Sequence, residues 1–369
     1  MYIYERDHWP HFTWDRQKVH ELLIPVRYRQ GRLIGHMEAL GFSLREEAML
    51  QTLTQEVIKS SEIEGEVLNQ DQVRSFLARR LGIDIAGTVP ADTDVEGVVE
   101  MMLDATQHFD ASLTGERLCG WHAALFPTGR SGMLKIRVGA WRKGEKGPMQ
   151  VISGAIGKEK IHYEAPNAAQ VPVEMAVFLE WFNMSHDIDP VLKAALAHLW
   201  FVTVHPFEDG NGRIARAITD MQLARADESP QRFYSMSSQI RKERNAYYDI
   251  LESTQKGDLD VTPWLEWFLS CLDRSLLATN DILAGVMKKA KFWDKHTGTS
   301  LNKRQRIMLE RLLNGIEGKM TSSKWAKMTK CSQDTAARDI QDLINKDILI
   351  KEAAGGRSTS YVLNHAVFS

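Results

Sequence analysis

The stretch 205–216, HPFEDGNGRIAR, gathers one imidazole, two carboxylates, an asparagine, two glycines and two arginines within twelve positions. An apolar run, VLKAALAHLWFVTV at 191–204, precedes it, and a second helical run at 214–226 follows. The polar stretch therefore reads as a loop between two helices, with Gly212 and Arg213 where the second begins. A helix N-terminus offers an anion free N–H groups and the positive end of the dipole. Asn211, Arg213 and Arg216 add donors suited to phosphate oxygens. Asp209 adds a hard oxygen ligand suited to Mg2+. His205 adds a base that half-titrates near neutral pH. Together they describe a nucleotide-phosphate site with a base beside it.

The elements that must position this loop are mostly helical. From Arg16 to about Arg80 apolar residues recur at helical spacing, with Leu40, Leu44, Met49, Leu53 and Val57 among them. Trp9, Phe12 and Trp14, in the lead-in before that run, are expected to pack against it. The helix around 46–63 ends in SSEIEGE, where Ser60 and Glu64 share a face and Gly65 stops the helix. Residues 81–94 read as a loop, and helices resume at 95–108 and 116–126. The stretch 127–147 reads as irregular. Residues 149–161 alternate apolar and polar around Gly154 and Gly157, the one clear hairpin candidate in the first two hundred residues. Helices are expected again at 173–184 and over most of 239–284, with a long one from Pro263 to about Lys291.

From Leu301 the character changes. A helix ending at Asn314-Gly315, a second after Thr321-Ser322-Ser323, a third over 333–346 and two apolar stretches around Gly355-Gly356 read as a winged helix-turn-helix. Residues 300–369 hold 12 Lys or Arg against 7 Asp or Glu, so this part is mildly basic. The whole chain of 369 residues has a formal net charge of -2, which gives no global argument for nucleic acid or a membrane surface. Three distant cysteines, Cys119, Cys271 and Cys331, make neither a metal set nor a disulfide framework. The aromatic, charged opening MYIYERDHWPHFTWD has no basic region with an apolar core behind it, so no signal peptide is expected. No apolar run reaches the length of a membrane span. The expected location is the cytoplasm.

The loop matches HxFx(D/E)GNGRxxR, the motif of the Fic family, at His205, Phe207, Asp209, Gly210, Asn211, Gly212, Arg213 and Arg216. LCGWHAALF at 118–126 and AYYDILESTQKGD at 246–258 also look like family sequence, so the chain resembles Fic proteins over roughly 100–285. The resemblance implies a mainly α fold: a Fic-type helical core with a β-hairpin flap at 149–161, against which a target segment lies. It implies a nucleotidyltransferase, usually carrying AMP from ATP to a protein hydroxyl. Three parts follow: an N-terminal helical region at 1–100, a catalytic domain at 101–290 and the winged helix at 300–369. A Tyr, Ser or Thr hydroxyl is a poor nucleophile at neutral pH, and His205 suits the role of its base. Phe207, apolar amid polar neighbours, is expected to anchor the loop in the core. Asp209 is the expected Mg2+ ligand. Gly210 and Gly212 are expected to let backbone N–H groups approach phosphate. Asn211 and Arg213 are assigned to the α- and β-phosphates and Arg216 to the γ-phosphate. By resemblance, Ser153, Gly154, Ala155 and Ile156 of the flap, with Tyr247, Tyr248 and Gln255, lie at the ATP. Simple core packing is the other reading of the last three. Some relatives use UTP, GTP or CDP-choline, and an intact Arg216 and metal ligand favour an ordinary nucleoside triphosphate.

Ser60, Glu64 and Gly65 match the family's inhibitory motif (S/T)xxxE(G/N), placed before the catalytic core as in members with an N-terminal inhibitory helix. The bland reading is a solvated acidic helix end. The functional reading pairs Glu64 with Arg216 through a bidentate contact, which denies that arginine to the γ-phosphate and displaces the α-phosphate from in-line attack. Glu64 then counts both as inhibitor and as a residue at the ATP site. In some relatives the same glutamate supports removal of AMP, so both directions stay open. A rival reading makes the chain a transcription regulator with a nucleotide-sensing core. Gln333, Asp334, Thr335 and Arg338 would then meet bases and Arg357 the minor groove or a phosphate, while Asp339, Asp342 and Asp347 argue against DNA and a protein partner remains the alternative. The expected partners are a hydroxyl-bearing target protein, DNA or protein through 300–369, no membrane, and a second copy in a homodimer.

Overall fold

The computed structural model describes residues 1–85, 87–154, 160–185, 187–316, 318–352 and 359–364, without the side chain of Lys146. Ala155, Ile156, Gly157, Gly355, Gly356 and Arg357 therefore lie outside the described residues. Among the described residues there are fourteen α-helices and three two-stranded sheets, so the chain is mainly α as expected. It divides into two compact units, one of Met1–Ile83 and Val89–Ile282, the other of Asp84–Thr88 and Leu283–Ser369. No described helix is long and apolar enough to cross a membrane.

The first unit begins with α1 (Arg16–Glu38), α2 (Phe42–Ile63), α3 (Gln70–Leu81), α4 (Thr93–Gln107) and α5 (Gly115–Leu125). Their starts are written in the sequence: Asp15, Asn69 and Thr114 each accept a hydrogen bond from a first-turn N–H. Then come β1 (Arg130–Ser131) and β2 (Leu134–Lys135), β3 (Gln150–Ser153) and β4 (Lys160–Glu164), and α6 (Val171–Asn183). After these, α7 (Pro190–Val204) and α8 (Asn211–Asp227) form the centre, followed by α9 (Met236–Lys242) and α10 (Arg244–Gln255). α11 (Thr262–Lys295) is long, as its pattern predicts. α7 is apolar all round because it is buried all round: every residue from Val191 to Val204 is inside. Trp9 and Phe12 pack edge-on against Trp200 of that helix.

Two local readings need correction. The stretch 127–147 is not wholly irregular, because β1 and β2 pair antiparallel across Gly132-Met133. Two-residue strands are too short to show alternation. The larger hairpin runs on to Glu164 rather than stopping at 161, with a bulge between Val151 and Ile152. Tyr163 shows why: it is buried, and its hydroxyl donates to Thr203 O at 2.7 Å.

α2 is fastened by polar contacts as well as by its apolar face. Buried Glu56 accepts from Ser235 Oγ at 2.6 Å and from Ser237 N at 3.1 Å. Buried Asp220 of α8 receives Arg232 Nη2 at 3.0 Å. Burial, then the neighbouring Glu56, push the Asp220 carboxyl up, against the pull of Arg232.

The second unit holds α12 (Lys303–Leu313), α13 (Ser322–Thr329) and α14 (Gln333–Asn345), then β5 (Leu349–Lys351) paired antiparallel with β6 (Tyr361–Leu363). Its core is built on Trp325, Met308, Leu309, Ile340, Leu343 and Leu349.

Candidate active site at the α7–α8 junction

The six residues between α7 and α8 are held in shape before any ligand is considered. His205 is the C-cap of α7, in the left-handed region at φ 51° and ψ 59°. Its backbone N–H still reaches Phe201 O at 3.0 Å. Phe207 is fully buried and stacks on His122 with ring centroids 4.2 Å apart. The Asn211 side chain accepts from Phe207 N at 3.0 Å and donates to Phe207 O at 2.9 Å. That amide closes the loop on itself. Gly210 has φ 76°, and a Cβ there would stand 2.9 Å from Phe126 Cε2, so conformation and space both call for glycine.

Arg142 does the remaining work, and sequence reasoning missed it. It is buried, with Nε on His205 O at 2.8 Å and Nη2 on Pro166 O at 2.5 Å and Val204 O at 3.3 Å. Its own N–H donates to Pro206 O at 2.8 Å. The guanidinium thus caps the carbonyl end of α7, where a cation is favoured. Burial lowers its pKa from the ordinary arginine value. No sequence signal marks it, because its partners are carbonyls, which every residue has.

His205 Nδ1 lies 3.2 Å from Val202 O. A carbonyl only accepts, so Nδ1 carries the ring proton and Nε2 keeps a free lone pair. Burial lowers the His205 pKa to about 4, against smaller upward pulls from Val202 O, Asp209 and Glu64. The imidazole is therefore neutral across physiological pH.

The charged groups around it are paired. Arg216 is buried, with Nε on Ser60 Oγ at 2.9 Å, Nη2 on Ser60 O at 2.8 Å and Nη1 2.8 Å from Glu64 Oε1. The Glu64 contact is a single-nitrogen ion pair rather than the bidentate fork expected, because Ser60 takes the other two nitrogens. Burial opposes the charge on Arg216, but Glu64, Tyr247 and Tyr248 together outweigh it and the net shift is upward. Gly212 leaves room for this: a Cβ there would overlap Glu64 Oε1. The carboxylate thus sits against the N-terminus of α8. Gly65, at φ 87°, ends α2 in a Schellman turn, with Gly65 N on Glu62 O and Glu66 N on Ser61 O. The turn brings Glu66 back to Arg213 Nη1 at 2.5 Å, a pair not anticipated although both residues stood in noted stretches. Asp209 accepts from Gly210 N at 2.6 Å and from the Ser131 hydroxyl of β1.

A cavity of about 460 Å³ opens beside this cluster, walled by Glu64, His205 and Gly212 on one side and by Ser153, Tyr163, Arg244, Tyr247, Tyr248 and Gln255 on others. Tyr247 is buried with its hydroxyl on His198 Nε2 at 2.8 Å, so it is a core residue as well as a wall. Gln255 donates at 3.4 Å to Val202 O and to Thr203 Oγ1. Gly154, at φ 107°, follows Ser153 at the end of β3. Arg213 faces a separate cavity of about 400 Å³ with Glu66, Phe126, Arg130 and Ser131.

Residues 112–223 match the Fic/DOC family, and residues 2–83 match a domain of unknown function, DUF4172. The chain is 27% identical over 236 residues to the protein adenylyltransferase Fic of Drosophila yakuba, covering 62% of this chain and 43% of that protein. It thus spans under half the length of the curated relatives it matches. Among solved structures it is similar to a Fic family protein from Desulfovibrio desulfuricans G20, with a TM-score of 0.55, 19% identity and coverage of 97% of this chain and 99% of the other. It is also similar to a Fic domain containing signaling protein from Bacteroides thetaiotaomicron VPI-5482, with a TM-score of 0.51, 22% identity and coverage of 73% and 97%. These likenesses establish the fold. The chain carries a Fic/DOC-family domain.

The Arg142 contacts give a stability prediction. Arg142→Met orphans carbonyls of Pro166, Val204 and His205, and should lower stability by about 2–4 kcal/mol. Urea unfolding would register this as a lower midpoint at unchanged slope. An unmoved midpoint would show that Arg142 does not hold the loop.

Proposed function

With a Fic/DOC domain at its centre, we propose that this chain is a protein adenylyltransferase, held off by its own Glu64. The observation that carries this reading is the position of the Glu64 carboxylate. It lies against Gly212 at the α8 N-terminus and 2.8 Å from Arg216 Nη1, where an anion is favoured. A carboxylate in that place stands in for a phosphate oxygen, with the neutral His205 on the wall of the same cavity.

In this reading ATP enters the cavity beside His205, with its phosphates toward α8. The target hydroxyl attacks the α-phosphorus, a new O–P bond forms, and the bond to the bridging oxygen of pyrophosphate breaks. The hydroxyl proton passes to His205 Nε2. The backbone N–H groups at Gly212 and the Arg213 and Arg216 guanidinium groups hold the triphosphate. The Asn211 amide serves by fixing the loop rather than by touching phosphate. Asp209 fits a Mg2+ ligand: one or two carboxylates plus substrate phosphates usually suffice, and both oxygens keep lone pairs beyond their present donors. When bound, the ion neutralises charge on the leaving pyrophosphate. While Glu64 and Ser60 engage Arg216, the γ-phosphate has no seat and in-line geometry at the α-phosphorus is lost.

The expected outcome is that Glu64→Gly raises self-labelling and target labelling from radiolabelled ATP at least tenfold, and that adding His205→Ala abolishes target labelling. Equal labelling by the wild type and the Glu64 variant would contradict inhibition. The depressed His205 pKa predicts a second result. The base form persists as pH falls until about 4, so kcat/KM of the Glu64→Gly protein should show no acid limb between pH 8 and about 5.5. A limb near 6.5, the ordinary histidine value, would exclude the neutral base.

A second reading concerns the second unit. Two acids that argued against DNA are engaged within it. Asp339 is buried and takes Arg304 Nε at 2.7 Å and Nη2 at 3.0 Å, and Asp342 takes Lys346 Nζ at 2.5 Å. This leaves the start of α14, with Asp334, Thr335 and Arg338, less repulsive to phosphate than the sequence suggests. The full chain should then shift a random duplex at low salt and lose it as salt rises. No shift at low salt would dispose of DNA and leave a protein partner.

A further inference from the structure

Outside the motif loop, one cluster has the geometry of an activated hydroxyl. Ser153 ends β3, His162 lies on β4 and Glu252 on α10. Ser153 faces Lys160 across the hairpin, which makes His162 its diagonal neighbour on the same face. Ser153 Oγ stands 2.6 Å from His162 Nε2, and His162 Nδ1 stands 2.5 Å from Glu252 Oε2. The carboxylate only accepts, so Nδ1 carries the ring proton, and in the neutral ring Nε2 turns its lone pair to the serine hydroxyl. Lys256 Nζ holds the other oxygen, Glu252 Oε1, at 2.6 Å. Lys256 and then His162 bring the Glu252 carboxyl down to about 2, so it stays ionised.

Nucleophile, base and orienting carboxylate therefore stand in the order that activates serine in hydrolases. Pinning the hairpin to α10 needs only the His162–Glu252 pair. The exposed Ser153 hydroxyl adds nothing to that pin. Its place gives it a use: Ser153, His162 and Glu252 line the same cavity of about 460 Å³ as His205, Glu64 and Gly212. A hydroxyl fixed on the cavity wall has a high effective concentration toward a nucleotide bound there.

We propose that Ser153 is the chain's own acceptor of AMP, with His162 as its base and Glu252 orienting that base. This rests on the transferase reading above. Ser153 Oγ forms a bond to the α-phosphorus of ATP, the bond from that phosphorus to the bridging oxygen breaks, and pyrophosphate leaves with the electron pair. The hydroxyl proton passes to His162 Nε2, and a phosphodiester joins Ser153 to AMP.

The test is to incubate the full-length Glu64→Gly protein with ATP and Mg2+, measure pyrophosphate release, and map adducts by tandem mass spectrometry. AMP should appear on Ser153, vanish from that peptide in Ser153→Ala, and persist at position 153 in Ser153→Thr. His162→Gln should slow its formation on the order of 100-fold. Adducts only at other residues would overturn the assignment and leave the transferase standing. An unchanged rate in His162→Gln would overturn the role of the cluster. No pyrophosphate and no adduct anywhere would overturn both readings.

Discussion

The Arg216 guanidinium has three nitrogens, and the last turn of α2 supplies partners for all of them. Ser60 gives its hydroxyl and its carbonyl, and Glu64 gives a carboxylate oxygen. A buried cation without such partners costs several kcal/mol. The end of α2 and the N-terminus of α8 are therefore bound to one another for as long as nothing else meets that charge. A triphosphate is the natural competitor, because it offers oxygen acceptors and greater charge. A ligand shifts such an equilibrium only by its differential affinity for the two arrangements. In the proposed reading, the α2 contact sets the threshold that a nucleotide has to exceed.

That threshold is built from more than one contact. Arg244 Nε caps Ile63 O at 2.7 Å, Glu66 pairs with Arg213, and Glu56 fastens the middle of α2 to Ser235 and Ser237. The motif residues occupy defined places in this arrangement. Ser60 and Glu64 are one helical turn apart and meet the same guanidinium. Gly65 has a left-handed backbone, which lets the chain reverse and present Glu66. On the other side of the cavity, Arg142 fixes the carbonyls that end α7, so His205 is positioned from behind by an arginine and in front by the loop that Asn211 closes. The catalytic imidazole in this account is aligned by contacts that never touch substrate.

Much of this was legible in the chain itself. The density of polar types at 205–216 between two apolar runs located the loop. The resemblance of Ser60, Glu64 and Gly65 to the family's inhibitory motif located its counterpart. Helices were readable mainly from period, and α13 also from the Thr321 cap. What could not be read has a common cause. Arg142 binds backbone carbonyls, and Asn211 turns its amide inward to Phe207. Ser131 meets Asp209 from a two-residue strand, and Ser153, His162 and Glu252 come together only when β3, β4 and α10 pack. Each depends on tertiary placement that leaves no mark on spacing. The bidentate Glu64–Arg216 pair was the natural guess from charge, and it fails because Ser60, noted in the same stretch, also bonds to the arginine.

The central claim is that Glu64 occupies the seat of a phosphate. The most direct measurement is a crystal structure of the Glu64→Gly protein with a non-hydrolysable ATP analogue. The account predicts a γ-phosphate oxygen within about 3 Å of Arg216 Nη1, at ordinary hydrogen-bond distance, with His205 Nε2 facing the α-phosphorus. A triphosphate lying elsewhere in the cavity, with the freed Arg216 Nη1 left without an anion, would contradict it.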